Sequence, residues 1–213
     1  MALAQTRSIF ADPERIGSLS ARARARRWDH FVACFPELSQ MSVVDLGGRP
    51  QFWRMADRHP AHVTCINLEA LPEPDEPWMT YVRGDACQPV QGRFDLAISN
   101  SVIEHVGGHE QRRRFADVVH GAADPHWVQT PYRYFPIEPH WVFPGFQFLP
   151  LAVAMEVSRR WPYGRRSSRQ SAWEDVVSVE LMSISDMRGY FPDSQIWTER
   201  LAGLVKSLVA IKQ

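Results

Sequence analysis

Five short apolar runs, each ending in glycine or polar residues, set the rhythm of the first two thirds of the chain. The first is Ser42-Val43-Val44-Asp45-Leu46-Gly47-Gly48. Its paired valines suit a covered, pleated surface, so a buried strand is expected over them. Four more runs follow at 62–69 (HVTCINLE), 81–86 (YVRGDA), 94–100 (FDLAISN) and 127–131 (WVQTP). The spacing of their ends fits βαβ crossovers, which predicts a parallel sheet with helices on its faces. Helical periodicity is read over 51–58, 109–123 and 149–160.

The remaining segments fall around this half. Residues 1–37 read as a helical arm, with Asp12-Pro13 as a helix start and a second helix over 21–35. Residues 42–131 form the strand-rich half. Residues 132–175 are the least regular, because Pro131, Pro136, Pro139, Pro144 and Pro150 forbid a continuous helix across their start. From 176 to 213 the pattern returns to short strands and a helix, with strands expected at 195–199 and 204–212. One domain covers all 213 residues.

The end of the first run carries chemistry. Gly47-Gly48 permits a tight turn and close approach of backbone to a ligand. Asp45 sits where the strand runs out, the place where open α/β sheets bind ligands. A dinucleotide fingerprint is excluded, since Arg49, Pro50, Gln51, Phe52 and Trp53 follow in place of its remaining glycines. The Gly-Lys-Ser/Thr of a phosphate loop is missing as well. A carboxylate there favours a ligand with positive charge.

Lys+Arg and Asp+Glu are both 24, so the formal charge of zero gives no support for nucleic-acid binding. Basic clusters at Arg22, Arg24, Arg26 and Arg27, at 112–114, and at Arg165, Arg166 and Arg169 read as solvated faces; the 159–169 stretch also suits an anionic substrate or partner. Cys34, Cys65 and Cys87 are odd in number and have no metal spacing, so a reduced, cytoplasmic protein is expected, with Cys65 in the core. No apolar window is long enough for a signal peptide or a membrane span.

The series of motifs resembles class I S-adenosylmethionine-dependent methyltransferases over about residues 40–135: a glycine loop after strand one, a polar end to strand two, an acid after strand three, and Phe-Asp opening strand four. The segment Ser99-Asn100-Ser101-Val102-Ile103-Glu104-His105-Val106 is similar to the signature after strand four in the small-molecule branch of that family. The resemblance implies a Rossmann-like, mostly parallel α/β sheet of seven strands, helices on both faces, the last strand antiparallel, and the N-terminal arm over the substrate side. It implies S-adenosylmethionine as cofactor and a methyltransferase activity.

It also assigns the cofactor residues. Gly47 and Gly48 approach the amino-acid end and ribose, with Asp45 acting on the ammonium or shaping the loop. Asn67 takes the ribose position, where the family more usually has an acid, and Glu69 stands two residues on to take over. Asp85 accepts from the adenine amino group or caps a turn, with Ala86 against the ring. Ser99, Asn100 and Ser101 lie beside the methionine portion, and His105 either lines the pocket or caps a short helix.

Methyl transfer to a hydroxyl needs an aligned nucleophile and gains from a base. The stiff segment Pro136-Ile137-Glu138-Pro139-His140-Trp141 follows strand five and should overhang the site. Extended backbone places Glu138 and His140 on one side. His140 is the candidate base. Glu138 orients it, binds substrate, or joins it in holding a divalent ion; the same segment also reads as a loop anchor. The aromatics Tyr132, Tyr134, Phe135, Trp141, Phe143, Phe146, Phe148, Trp161, Tyr163 and Trp173 suit a sugar or planar acceptor, or a local core. Near-exclusive use of arginine over lysine points to a GC-rich, actinobacterial source. The resemblance then extends to sugar O-methyltransferases of mycobacterial methylmannose polysaccharides. N- or C-methylation of a natural product or lipid, and a non-catalytic cofactor-binding regulator, stay open beside O-methylation of a hydroxylated small molecule or saccharide. So do a Mg²⁺ requirement, for which no dedicated carboxylate cluster is evident, and a homodimer.

Overall fold

The computed structural model describes residues 19–70, 72–161 and 169–213. The expected helix start at Asp12-Pro13 lies outside them, as do Tyr163, Arg165 and Arg166.

A seven-stranded sheet is the frame. Strands β1 (Ser42–Leu46), β2 (His62–Asn67), β3 (Met79–Arg83), β4 (Leu96–Asn100) and β5 (His126–Pro131) run parallel. Two further sheet strands are β8 (Gln195–Leu201) and β9 (Leu204–Lys212). The order is β3-β2-β1-β4-β5-β9-β8, with β9 antiparallel to both neighbours. The order reverses between β1 and β4, so a crevice opens at their carboxyl ends. That crevice is where the glycine loop emerges.

Period-two alternation sorts the strand side chains between two cores. Val43 of β1 and Val209 and Ile211 of β9 face one side, together with Phe31 and Phe35 of helix α1 (Leu19–Cys34) and Trp53 of helix α2 (Pro50–Arg54). Val44, Leu46, Leu208 and Ala210 face the other. There Phe115, Val119 and Ala122 of helix α3 (His109–Ala122) cover them, with Met187 of a later helix. Helices therefore cover both faces, and the N-terminal arm is helical over Leu19–Cys34. Cys65 is buried in β2 as expected.

Not every crossover contains a helix. The β3–β4 connection has none, and none is found among the described residues between β2 and β3, where Pro72, Pro74 and Pro77 remove backbone donors. The first crossover helix is also shorter than expected; α2 starts on Pro50 in its first turn and ends at Arg54.

The irregular segment after β5 folds around a small hairpin, β6 (Ile137–Glu138) with β7 (Phe143–Pro144). Helix α4 (Leu151–Arg160) follows directly after Pro150 and packs on helix α5 (Arg169–Val177). From 176 short strands and a helix were expected. The structure continues α5 to Val177 and then forms helix α6 (Ile184–Tyr190), which opens on a capping box between Ser183 and Asp186. Three of the aromatics here pack as a local core: Trp141 stacks on Phe146 at 4.1 Å, with Phe143 and Leu149 against them, while Tyr134, Phe148 and Trp173 are exposed.

Candidate functional site

The loop after β1 is held by strain-tolerant residues and a buried acid. Gly47 adopts a φ of +78°, and a Cβ there would lie 2.3 Å from Val102 Cγ2. A Cβ on Gly48 would lie 2.1 Å from Asp45 Cγ. Both positions therefore demand glycine, the first for conformation as well as space. Asp45 is 2% exposed, and Trp53 Nε1 donates to its Oδ2 at 2.8 Å. Burial pushes the Asp45 carboxyl up to about 7, against the opposing pull of the Trp53 hydrogen bond.

Asn67 ends β2 and locks the same loop. Its Nδ2 donates to Gly47 O at 2.8 Å and Gly48 O at 3.2 Å, while its Oδ1 accepts from Glu69 N at 3.2 Å. An acid could not donate those two bonds, which gives the departure from the family pattern a physical reason: this position shapes the loop. Glu69 pairs with Arg49 across the cavity mouth. After β3, Asp85 Oδ1 accepts from Cys87 N at 2.9 Å, so the turn role is realised while the residue still lines the cavity.

The end of β4 is the most constrained part. Ser101 has a φ of 55°, an uncommon conformation for a residue with a Cβ. Its N–H donates to Gln129 O at 2.9 Å and its hydroxyl meets Gln129 Oε1 at 3.1 Å. A turn follows in place of the expected short helix, with His105 N donating to Val102 O at 2.8 Å. Glu104 points inward, 1% exposed, with Oε2 accepting from the Thr130 hydroxyl at 2.9 Å. Its Oε1 is buried without a partner. Burial pushes its carboxyl up to about 7.

Glu138 and His140 meet, but not through the expected extended backbone: Glu138 ends β6 and His140 lies in the turn at 139–142. His140 Nδ1 lies 2.6 Å from Glu138 Oε1, and Trp141 N donates to Glu138 Oε2 at 2.8 Å. His140 Nε2 lies 3.1 Å from His105 Nε2. Burial pulls the His140 imidazole down, but the Glu138 hydrogen bond and the charges of Glu138 and Glu104 together hold it above its ordinary value. His105 falls below its ordinary value through burial and the neighbouring His140.

One cavity of about 690 Å³ joins these strand ends. Asp45, Gly47, Gly48, Asn67 and Glu69 line it, together with Asp85, Ala86, Asn100, Ser101 and His105. Ser99 is not brought in; it is fully buried, with its hydroxyl donating to Leu46 O at 2.8 Å, and it ties β4 to β1. A second cavity of about 260 Å³ shares Ser101 with the first and is walled by Phe135, Ile137, Arg24, Arg27 and Lys206. Glu104 was read in the sequence as part of a motif without a role, and its place beside two histidines comes only from the fold. Val102 beneath Gly47 and Trp53 on Asp45 were also missed, although the i+8 spacing of Trp53 from Asp45 across a turn and helix start allows the contact.

The comparisons bear on this geometry. No family model matches the sequence, and no curated protein matches it. Solved structures do match. An S-adenosylmethionine-dependent methyltransferase from Mesorhizobium loti aligns over 90% of this chain and 98% of its own, at 19% identity and a TM-score of 0.56. Magnesium protoporphyrin IX methyltransferase from Synechocystis PCC 6803, with S-adenosylmethionine bound, aligns over 100% of this chain and 92% of its own, at 13% identity and a TM-score of 0.52. The N-methyltransferase NodS from Bradyrhizobium japonicum aligns over 89% and 94%, at 11% identity and a TM-score of 0.52. This chain has the class I methyltransferase fold.

Proposed function

We propose that the protein is an S-adenosylmethionine-dependent methyltransferase acting on a hydroxyl of a small molecule or saccharide. The carrying observation is the 690 Å³ cavity on the carboxyl ends of β1 to β4, floored by two glycines that tolerate no Cβ. Its volume is that of a small-molecule site. S-adenosylmethionine supplies a methyl group already activated on a positively charged sulfur. Gly47 and Gly48 would hold its amino-acid end, with the Asp45 carboxyl beneath them. Glu69 supplies the acceptor for a ribose diol that Asn67 cannot, because the amide is spent on the loop. Asp85 and Ala86 take the adenine end, and Asn100, Ser101 and His105 the methionine side.

The acceptor side lies across Ser101, where the smaller cavity begins. Arg24, Arg27 and Lys206 on its walls suit an acceptor that carries negative charge. His140 and Glu138 are the catalytic pair of this reading: the imidazole takes the acceptor's proton or holds the group that does. Glu138 fixes the ring from behind.

Labelled methyl transfer from S-adenosylmethionine to a panel of hydroxylated, amine and carbon acceptors tests the proposal. Incorporation into hydroxyl acceptors, lost in His140→Ala with donor affinity retained, is expected. Incorporation only into amines or carbon, or no incorporation with the donor bound, would overturn the O-methylation reading.

A further inference from the structure

Glu104, His105 and His140 bring three ligand atoms within 4.8 Å of one another at the edge of the cofactor cavity. We infer that these three side chains bind one divalent transition-metal ion, with Glu138 as the carboxylate that orients His140. The inference rests on the methyltransferase reading for what the ion is for, and it settles which of two uses the His140 lone pair has.

The hydrogen bonds argue for a cation. His140 spends its Nδ1 on Glu138 at 2.6 Å. With that N–H committed, His140 Nε2 faces His105 Nε2 across 3.1 Å, close enough for both nitrogens to share one ion. The third group, Glu104 Oε1, is buried and has no partner. An undonated carboxylate oxygen is costly where it is buried, and a cation held between Glu104 and the two more exposed imidazoles supplies its partner.

The geometry fits an ion. Two ligand atoms on a tetrahedral ion with bonds of about 2.1 Å lie about 3.4 Å apart, close to the histidine pair. Drawing Glu104 in requires a movement of up to about 1.4 Å, within reach of its rotamers. Behind His140, the Glu138–imidazole contact is the carboxylate–histidine arrangement common at metal centres. Glu138 itself is not a ligand, because its second oxygen holds Trp141 N. Two imidazoles and one carboxylate suit a borderline ion such as Zn²⁺ better than Mg²⁺, which prefers oxygen. Three protein ligands leave a position open, and His105 places it against the cofactor cavity beside Ser101. An ion there would take up the lone pair that His140 otherwise offers as a base, and would hold the acceptor oxygen in its place.

Calorimetric titration of Zn²⁺ into the chelator-treated full chain, without any donor, is the test. One ion per chain is expected, with Mg²⁺ binding far more weakly. Glu138→Gln should weaken Zn²⁺ by about 10–100-fold. Glu104→Gln, which keeps an acceptor for Thr130, and His140→Ala should weaken it further. His109→Ala, a nearby histidine whose Nδ1 meets the Tyr190 hydroxyl at 2.8 Å, should leave it unchanged. Circular dichroism of each variant confirms that it is folded. Co²⁺ added in place of Zn²⁺ should give a visible absorption band that His105→Ala removes. Zn²⁺ affinity equal in parent and Glu104→Gln, or no saturable binding, would overturn the inference. A parallel titration with S-adenosylhomocysteine separates the two ideas: heat with that ligand but none with Zn²⁺ removes only the ion, and the reverse removes the methyl-transfer reading.

Discussion

The indole of Trp53 donates to Oδ2 of Asp45 at 2.8 Å, with the carboxyl 2% and the indole residue 1% exposed. An acid buried against one neutral donor keeps its proton to higher pH than it does in water. Its pKa of about 7 in the fold exceeds the 3.8 of an ordinary aspartate. Because the folded value is the higher, the stabilising contribution is complete below pH 3.8 and is lost as pH rises through about 7. Asp45→Asn removes this dependence. The stability of the variant relative to the parent should therefore rise by on the order of 2–3 kcal/mol between pH 5 and pH 8, read from denaturant unfolding. A constant difference across that range would show that Asp45 ionises normally.

The same titration should govern donor binding. A cationic ligand over Asp45 favours the carboxylate, so affinity for S-adenosylmethionine should fall as pH drops through about 7. In Asp45→Asn the affinity should be lower and flat with pH, as measured by calorimetry from pH 5.5 to 8.5.

The two loop glycines should be intolerant for different reasons. Gly47→Ala must overcome both a φ of +78° and the Val102 side chain, whereas Gly48→Ala meets only the Asp45 carboxyl. Each is expected to weaken S-adenosylhomocysteine by at least about tenfold, equivalent to roughly 1.4 kcal/mol. Gly121 in α3 has nothing within 4 Å of a Cβ and an ordinary φ. Gly121→Ala should leave affinity unchanged and stabilise by about 0.5–1 kcal/mol in thermal unfolding.

Glu138 does two jobs that substitution can separate. Glu138→Ala leaves the buried Trp141 N–H without its acceptor and should cost about 1–3 kcal/mol of unfolding free energy. Glu138→Gln keeps that acceptor and should recover most of the stability. Methyl transfer should stay depressed in both, since neither restores the charge behind His140. Full activity in Glu138→Gln would reduce Glu138 to a loop anchor.

The frame was legible because burial on both sheet faces writes itself into the sequence. Val43 and Val44 point to opposite cores, so a continuous apolar run marks the strand, and the glycines mark its end. The closeness of Glu138 and His140 was legible from their two-residue spacing, but its cause was not: the backbone turns at 139–142 where the prolines suggested extension. Helix lengths were not legible either. Pro72, Pro74 and Pro77 sit in a connection that spacing alone reads as a crossover helix. Ser99 was misplaced because strand alternation sends it toward Leu46 while Asn100 faces the cavity. Glu104 was unreadable as part of a cluster, since His105 and His140 are 35 positions apart and meet only through the fold.

A crystal structure of the protein grown with saturating S-adenosylhomocysteine tests the central claim most directly. The account predicts the ligand in the cavity between Gly47 and Asp85, with its amino-acid end at the glycine turn and its sulfur near Ser101. The claim is contradicted by a ligand lodged elsewhere, or by that crevice remaining without ligand at saturating concentration.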